Sequence, residues 1–500
     1  MIKAETQTII RNTGLLVHIP GGMALLSLPI CLIFQEFYCI LPFIVTAITS
    51  LGLGQLFYRL FPKKADTHLR EAMLTVALSW GLIPIIGAIP FLLTVSVSPS
   101  DISLTVLGFN NPWNAFFEAF SGFTSTGLSM AVSPSQLPHS LQWWRSFMEW
   151  IGGVGMIVLI LSVLEPSLSN FKLYSAEGRN TNLADSVTDT VRWIWKIYLL
   201  YTVASIILLR VAGMPWWDAI NHGMTGISTG GFSIKDNSIG SYEPIIQIAT
   251  IPIMIAGAIS FYIHSQLIRE RRISVLWGDS QHRLFWFLLF LGTLVLAWEN
   301  QQFEGSILIL DTIFQWVSAL GTCGFNTVKI QDWSAAAKLI LTVALFTGAA
   351  AGSTVGGLKL SRVVSLGKGI IWRIQRIHNQ PDGSLDYQID NQKLTEEEAN
   401  NRVQGAAVLA VFWISLIVVG TIILVHFAKP LYTLSDVIFE VTSALGGVGF
   451  STGITDPLLH WAGKLVLILF MWMGRLEVIP VVMLLTALFA WVKVRLEKIF

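Results

Sequence analysis

Asp436-Val437-Ile438, then Gly446-Gly447-Val448-Gly449-Phe450-Ser451, is the last of four statements of one phrase in this chain. The first runs Asn114-Ala115-Phe116, then Thr124-Ser125-Thr126-Gly127-Leu128-Ser129. The second is Asp218-Ala219-Ile220, then Ser228-Thr229-Gly230-Gly231-Phe232-Ser233. The third is Asp311-Thr312-Ile313, then Gly321-Thr322-Cys323-Gly324-Phe325-Asn326. In all four, the last glycine before the Phe or Leu lies thirteen residues after the Asn or Asp. Equal spacing of the same residue types four times over is an internal repeat, and it dictates architecture before any single element does.

Composition names the solvent. The 500 residues are 53% hydrophobic and 13% charged, with a mean hydropathy of +0.63, whereas soluble domains carry about 25% charged residues. The runs Val154–Leu164, Leu284–Trp298, Val408–Val425 and Leu465–Met473 lie in segments that reach the ~20 residues a spanning helix needs. The fold class is an all-α integral membrane protein: four parallel span–pore-loop–span repeats around one pore, plus an N-terminal two-helix hairpin. The net charge of +1 does not speak for nucleic acid. No cleavable signal is evident in the polar start MIKAETQTIIRNTG. Cys31, Cys39 and Cys323 do not make a disulfide framework; the first two flank the hairpin and read as packing residues.

The chain divides accordingly. Residues 1–66 hold the hairpin, with spans near 14–34 and 38–60. Repeat 1 covers 67–187, with spans near 71–96 and 142–165. Repeat 2 covers 188–282, with spans near 190–212 and 244–266. Repeat 3 covers 283–401, with spans near 284–299 and 334–366. Repeat 4 covers 402–500, with spans near 403–427 and 461–491. The polar stretch 368–402, with a turn at Asn379-Gln380-Pro381-Asp382-Gly383 and a helix start at Glu396–Glu398, is a connector that either stays solvated or docks a partner.

Charge placement orients the plan. Loops on the side of the N-terminus carry Arg59, Lys63, Lys64, Lys172, Arg179, Arg269, Arg271, Arg272, Lys368, Arg373, Arg376, Lys493, Arg495 and Lys498. Loops beside the glycine phrases carry only Lys235, Lys329 and Lys429. By the positive-inside rule both termini are cytoplasmic, and the four phrases enter from outside.

The segment before each phrase, such as Pro112–Phe123 or Leu434–Leu445, is about a dozen residues. At 1.5 Å per residue that gives ~18 Å, which reaches partway across a ~30 Å hydrocarbon core. A half-helix followed by Gly and Thr or Ser reads as a re-entrant loop, tolerated at membrane depth only inside protein or a wet cavity. Four such loops around an axis offer backbone carbonyls that can replace an ion's hydration shell. The helix C-termini point inward and favour a cation there, while glycine permits the positive φ that aims the carbonyls. The candidate cation-binding residues are Ser125, Thr126 and Gly127; Thr229, Gly230 and Gly231; Thr322, Cys323 and Gly324; and Gly447, Val448 and Gly449. The competing reading, small-residue helix packing, suits Gly152-Gly153-Val154-Gly155 inside a span better than it suits the four phrases.

This arrangement resembles the Trk/Ktr/HKT superfamily of potassium transporters, and the extra hairpin makes its TrkH/TrkG branch the nearest look-alike. Further stretches carry the resemblance over essentially the whole chain. Trp150-Ile151-Gly152-Gly153-Val154-Gly155 is similar to that family's W-x-G-G-x-G. Ala351-Gly352-Ser353-Thr354-Val355-Gly356-Gly357-Leu358-Lys359 is similar to its interruption of the third repeat, and Gly474-Arg475-Leu476-Glu477 to its GRLE. The resemblance implies a gate below the filter at Gly352, Ser353, Thr354, Gly356 and Gly357, with Lys359 beside it and Arg475 facing the pore. The residues agree about the loop, since small and hydroxyl residues over 349–357 make a poor continuous helix. An arginine at membrane depth faces a bundle interior or cavity, or else pairs with a carboxylate such as Glu477; Lys359 has a second reading as a topology charge. Val355, Ala349-Ala350, Cys323 and Val448 depart from the family's usual residues. In plant relatives Ser at the first filter glycine goes with sodium, so Gly127 argues for potassium.

The resemblance further implies potassium as the transported ion, a homodimer with one pore per chain, and a separate cytoplasmic NAD- or ATP-binding regulatory ring of the TrkA type. No organic cofactor is expected in this chain. The alternative function is a sodium- or proton-coupled secondary carrier (a symporter), which usually shows inverted repeats and a midplane ionisable residue. A membrane scaffold would leave the glycine spacing unexplained. Gly348–Lys359 lacks the G-x-x-x-x-G-K-[ST] of a phosphate loop, His222 and His264 have no metal-ligand spacing, and no catalytic set argues for an enzyme. Arg145 and Glu149 are placed to pair across one helical turn, and Trp143-Trp144, Trp216-Trp217 and Trp333 read as interfacial anchors.

Overall fold

The structure is a computed structural model that describes residues 4–61, 68–99, 102–155, 187–304, 309–378, 386–390 and 392–496. Several expectations lie outside these residues: the continuation of the second span of repeat 1 beyond Gly155, the charges Lys63, Lys64, Lys172, Arg179 and Lys498, and the turn at 379–383. Among the described residues, six helices are long and apolar enough to cross a membrane, or seven if one bent pair is a single span.

The first pair, Ala4–Ile33 and Ile40–Leu60, forms the hairpin. The helices approach closely at Gly14 and Gly54, where a Cβ on either would press on the other's carbonyl oxygen. Their turn is not an idle link. Both Glu36 carboxylate oxygens accept backbone N–H bonds at the start of the helix His139–Val154, from His139 at 2.6 Å and Ser140 at 2.8 Å. An anion at a helix N-terminus satisfies donors that have no intrahelical partner. Cys31 and Cys39 are buried and unpaired with each other, as packing residues.

Long helices then alternate with short ones. Leu69–Gly87 continues into Ile89–Val97; Val187–Val211, Ser280–Glu304 and Glu396–Val425 are the other long outer helices. The last is begun by a capping box, Thr395 Oγ1 accepting from Glu398 N while Glu398 returns to Thr395 N. Only 22% of its most apolar window is buried, and Val408, Val411, Ile414, Val418 and Ile422 face outward. Such an exposed apolar face is at home against lipid tails rather than water.

The second span is broken in each of repeats 2, 3 and 4. The expected interruption in repeat 3 separates Ala335–Thr347 from Leu360–His378. The spans expected to run unbroken over 244–266 and 461–491 are also split. Pro244–Ala258 and Phe261–Glu270 meet at a 102° bend. Ser260 caps the second of these, accepting from Ile263 N at 3.3 Å, and Phe261 N donates to Gly352 O at 2.9 Å. In repeat 4, Trp461–Arg475 gives way to Ile479–Leu496 through Glu477 and Val478, both at positive φ, just before Pro480. Pro480 then falls in the first turn of the new helix, where its missing N–H leaves no intrahelical bond unmade. Trp144 is likewise no interfacial anchor: it is fully buried, its indole N–H on Gly87 O at 2.9 Å.

Candidate functional site

The four half-helices are Pro112–Phe123, Trp216–Ile227, Ile309–Leu320 and Leu434–Gly446, each twelve or thirteen residues long. Their ends are set locally. Asn111 caps Pro112 at the first helical position, and Thr433 with Asp436 forms a capping box on the last. All four terminate alike. Thr126 N bonds Ser121 O, Gly230 N bonds Thr225 O, Cys323 N bonds Ser318 O, and Val448 N bonds Ser443 O, at 2.8–3.0 Å. This is the six-to-one closure of a left-handed helix stop. The left-handed residues are Ser125, Thr229, Thr322 and Gly447, at φ 54°, 50°, 46° and 62°. Two residues on, Gly127, Gly231, Gly324 and Gly449 are again at positive φ, 94°, 84°, 83° and 94°. Glycine was anticipated at the second of these places; the strained non-glycine residues at the first were not.

The loops close into a ring in chain order. A Cβ on Gly127 would strike Gly230 O, one on Gly231 would strike Cys323 O, one on Gly324 would strike Val448 O, and one on Gly449 would strike Thr126 O. Each expected cation-binding glycine thus lies against the carbonyl of the next loop, and the fourth meets the first. Outer ties follow the same order. Trp217 Nε1 donates to Gln142 at 2.8 Å, Gly240 N to Asn326 O at 3.0 Å, Lys338 Nζ to Asp436 at 2.7 Å, and Lys464 Nζ to Asn114 at 2.5 Å.

Behind the ring stands a set of residues that the sequence reading did not bring together. Four positions after each Asn or Asp, one polar side chain reaches from the half-helix to its own loop. Glu118 accepts from Ser129 Oγ at 2.9 Å and Met130 N at 2.6 Å. His222 Nε2 lies 2.8 Å from Ser233 Oγ, and Gln315 donates to Val328 O at 3.1 Å. Glu440 accepts from Ser451 Oγ, Thr452 N and Thr455 N at 2.7, 2.8 and 3.0 Å. All four are fully buried. The signal was available: Glu118, His222, Gln315 and Glu440 share one position in the repeat. Arg145 was expected to pair with Glu149 along its helix. Instead its ion pair is with Glu118 at 2.6 Å, and it also donates to Ser233 O and Ser129 Oγ. His222 and His264 are both buried, and His222 Nδ1 lies 2.8 Å from Asp218 O.

Gly348–Lys359 lies against one face of the ring. Thr354 Oγ1 bonds Gly257 O at 2.9 Å and meets Thr229 Oγ1 at 3.1 Å; Gly356 N bonds Thr322 Oγ1 at 2.9 Å and Gly357 N bonds Gly446 O at 3.0 Å. Arg475 donates to Thr354 O at 3.2 Å, to Gly153 O at 2.9 Å and to Gly152 O. Glu477 is not among these partners; it takes Lys359 at 2.5 Å and Arg362. So Gly352, Ser353, Thr354, Gly356, Gly357, Lys359 and Arg475 come together, and all except Thr354 and Gly357 line a cavity of only about 30 Å³ with Val355 and Gly474. On the opposite face a cavity of about 700 Å³ opens between the loops, lined by Asp236, Asn326, Asp332, Ser451 and Asp456 among others. Among the described residues no three His, Cys, Asp or Glu side chains gather as metal ligands.

Comparison with known proteins agrees with this architecture. The family model described as TrkH, cation transport protein, matches residues 43–490. The Trk system potassium uptake protein TrkH of Escherichia coli is 32% identical, with 97% of this chain and 99% of that one covered. An uncharacterized cation transporter of Methanocaldococcus jannaschii is 30% identical over 98% of this chain and 97% of its own length. The crystal structure of the potassium transporter TrkH from Vibrio parahaemolyticus matches with a TM-score of 0.80 at 26% identity, over 96% of this chain and 98% of that one. A match of this extent, with the ring of four glycine loops, makes the chain a member of the TrkH family of cation transport proteins.

Proposed function

We propose that this protein takes potassium into the cell through a channel-like pore whose selectivity filter is the ring of four loops. The observation that carries this reading is the closed order of contacts among Gly127, Gly231, Gly324 and Gly449 and the carbonyls of Gly230, Cys323, Val448 and Thr126. A dehydrated potassium ion replaces its lost water with such carbonyls, supplied by Ser125–Gly127, Thr229–Gly231, Thr322–Gly324 and Gly447–Gly449. The ends of four half-helices add negative potential at the same place. The units 67–187, 188–282, 283–401 and 402–500 each contribute one quarter, and 1–66 braces the first through Glu36.

Gly352–Gly357 acts as the gate. A cavity of about 30 Å³ beneath the ring offers room for about one water, so conduction requires the loop to move. Arg475 holds it shut by bonding Thr354 O and the Gly152-Gly153 carbonyls together. A cytoplasmic nucleotide-binding ring works the gate from the side of the termini, on a homodimer of this chain in the inner membrane. Four alike units around one axis favour a pore over a sodium- or proton-coupled symporter. Rubidium uptake into proteoliposomes, with sodium and potassium as competitors, tests the reading beside Gly231→Ser. Potassium competition without sodium competition, lost in the variant, is expected. Equal competition by sodium in the unmodified protein overturns it.

A further inference from the structure

The four loops differ at the residue before the ring glycine. Thr126, Cys323 and Val448 have side chains there; Gly230 has none. Each side chain anchors its loop. Thr126 Oγ1 meets Thr124 Oγ1 at 2.8 Å, Cys323 Sγ lies 3.8 Å from Gly226 O, and Val448 is fully buried in an apolar cluster with Phe439 and Phe450. Loop 2 has no such anchor of its own. A Cβ built on Gly230 would run into the Glu149 carboxylate, so Glu149 already occupies the vacant side-chain place. From there both carboxylate oxygens reach the N–H of Phe232, at 3.0 and 3.1 Å, directly after Gly231.

Glu149 belongs to repeat 1, on the helix His139–Val154, and is fully buried. The corresponding residues elsewhere can be identified from the backbone. Gly152, Gly257 and Gly474 each press on the carbonyl four residues before their own ring glycine, at Phe123, Ile227 and Leu445. Three residues before these glycines stand Glu149, Met254 and Met471. Met254 shares a buried cluster with Cys323 and Phe325 of loop 3, as Glu149 meets Gly230 and Phe232 of loop 2. The carboxylate stands where repeats 2 and 4 have methionine, and the loop it meets is the one with glycine before the ring glycine. Arg145 does not consume that carboxylate, since its guanidinium bonds Glu118, Ser129 and Ser233.

We propose that Glu149 is a positioning residue for loop 2: it fills the place Gly230 leaves empty and, through the Phe232 N–H, holds the Gly230-Gly231 carbonyls on the ion path. The proposal rests on the filter reading above. What matters is an oxygen acceptor at that point, rather than its charge. The test is the potassium-to-sodium ratio of rubidium uptake in proteoliposomes, a ratio that mere loss of folded protein does not change. Glu149→Gln keeps an acceptor at the same reach and is expected to hold the ratio within about twofold, whereas Glu149→Met loses the bond and about fivefold of the ratio. Glu149→Asp keeps the charge but stops a methylene short, so it should behave as Glu149→Met does, and it serves if the methionine variant does not fold. Unchanged selectivity in both Met and Asp variants overturns the proposal, as does loss in Gln with retention in Asp. Gly231→Ser is run in parallel. If it leaves selectivity intact, the filter reading fails; if it alone changes selectivity, only the role of Glu149 fails.

Discussion

The two faces of the ring are built on opposite principles. On one face the loops diverge around a cavity of about 700 Å³, and every unit contributes through the same stop, the same positive-φ glycine and the same polar strut from its half-helix. On the other face a single loop, Gly348–Lys359, touches three of the four ring loops and leaves about 30 Å³. Repetition serves a task that needs equivalent ligands around an axis. Under the gating proposed above the switch is one element, and the loop Gly348–Lys359 interrupts one repeat only.

Substitutions can break this contrast, and the largest effect belongs to the repeated face. Gly324→Ala adds about 1–2 kcal/mol of left-handed strain and a collision with Val448 O. Rubidium uptake should fall below detection, and Gly127→Ala should do the same through Gly230 O; normal flux in either would deny the ring its fourfold character. Next comes the core behind it. Arg145→Leu strands Glu118, both side chains at 1% exposure or less, and breaking a buried pair costs about 3–5 kcal/mol. Thermal unfolding in detergent should shift down by many degrees, with the Glu118→Gln/Arg145→Leu double variant recovering part of the loss.

The single-loop face should respond with the opposite sign. Arg475→Gln removes charged hydrogen bonds worth about 1.5–3 kcal/mol from Thr354 O within the loop and from the Gly152 and Gly153 carbonyls of another helix. Uptake without a regulatory partner should rise about tenfold or more; a fall would mean that Arg475 supports the open path instead. Glu477→Gln weakens the tie to Lys359 and Arg362 beyond the loop and should shift uptake the same way by about 1 kcal/mol or less. The comparison of these two flux ratios ranks the loop's restraints.

The parts of this architecture that could be read in advance are those with local causes. Pro112 at a first helical position and glycines just past the last turn delimit the half-helices, and Pro112–Phe123 falls where the spacing put it. The break in repeat 3 shows itself in a run of small residues. The break after Ala258 does not, because the apolar run carries on through Ile259 and Phe261 to Ile263, and the one after Arg475 shows only as charges inside an apolar stretch. They persist because distant groups satisfy the freed backbone, as Gly352 O does for Phe261 N. Partners of buried charges were equally opaque. Arg145 and Glu149 stand one turn apart, yet each turns to a residue brought by another segment, Glu118 and Phe232. Spacing finds neighbours along a helix; only packing decides which of them meet.

The closure between the fourth and first loops has a consequence for how the molecule is made. Lys464 holds Asn114 across 350 residues of chain, and Arg475 holds Gly152 across 323. Chains fold from the N-terminus as they emerge, so unit 1 enters the bilayer long before the residues that complete its surroundings are synthesised. Until then its half-helix and loop carry polar groups with one flank open. A nascent chain stopped before Leu434 lacks the fourth half-helix and its loop, so Gly324 and Thr126 are left without their neighbours Val448 and Gly449. It yields an unclosed arc, and the ring of four loops comes into being only with the final stretch of translation.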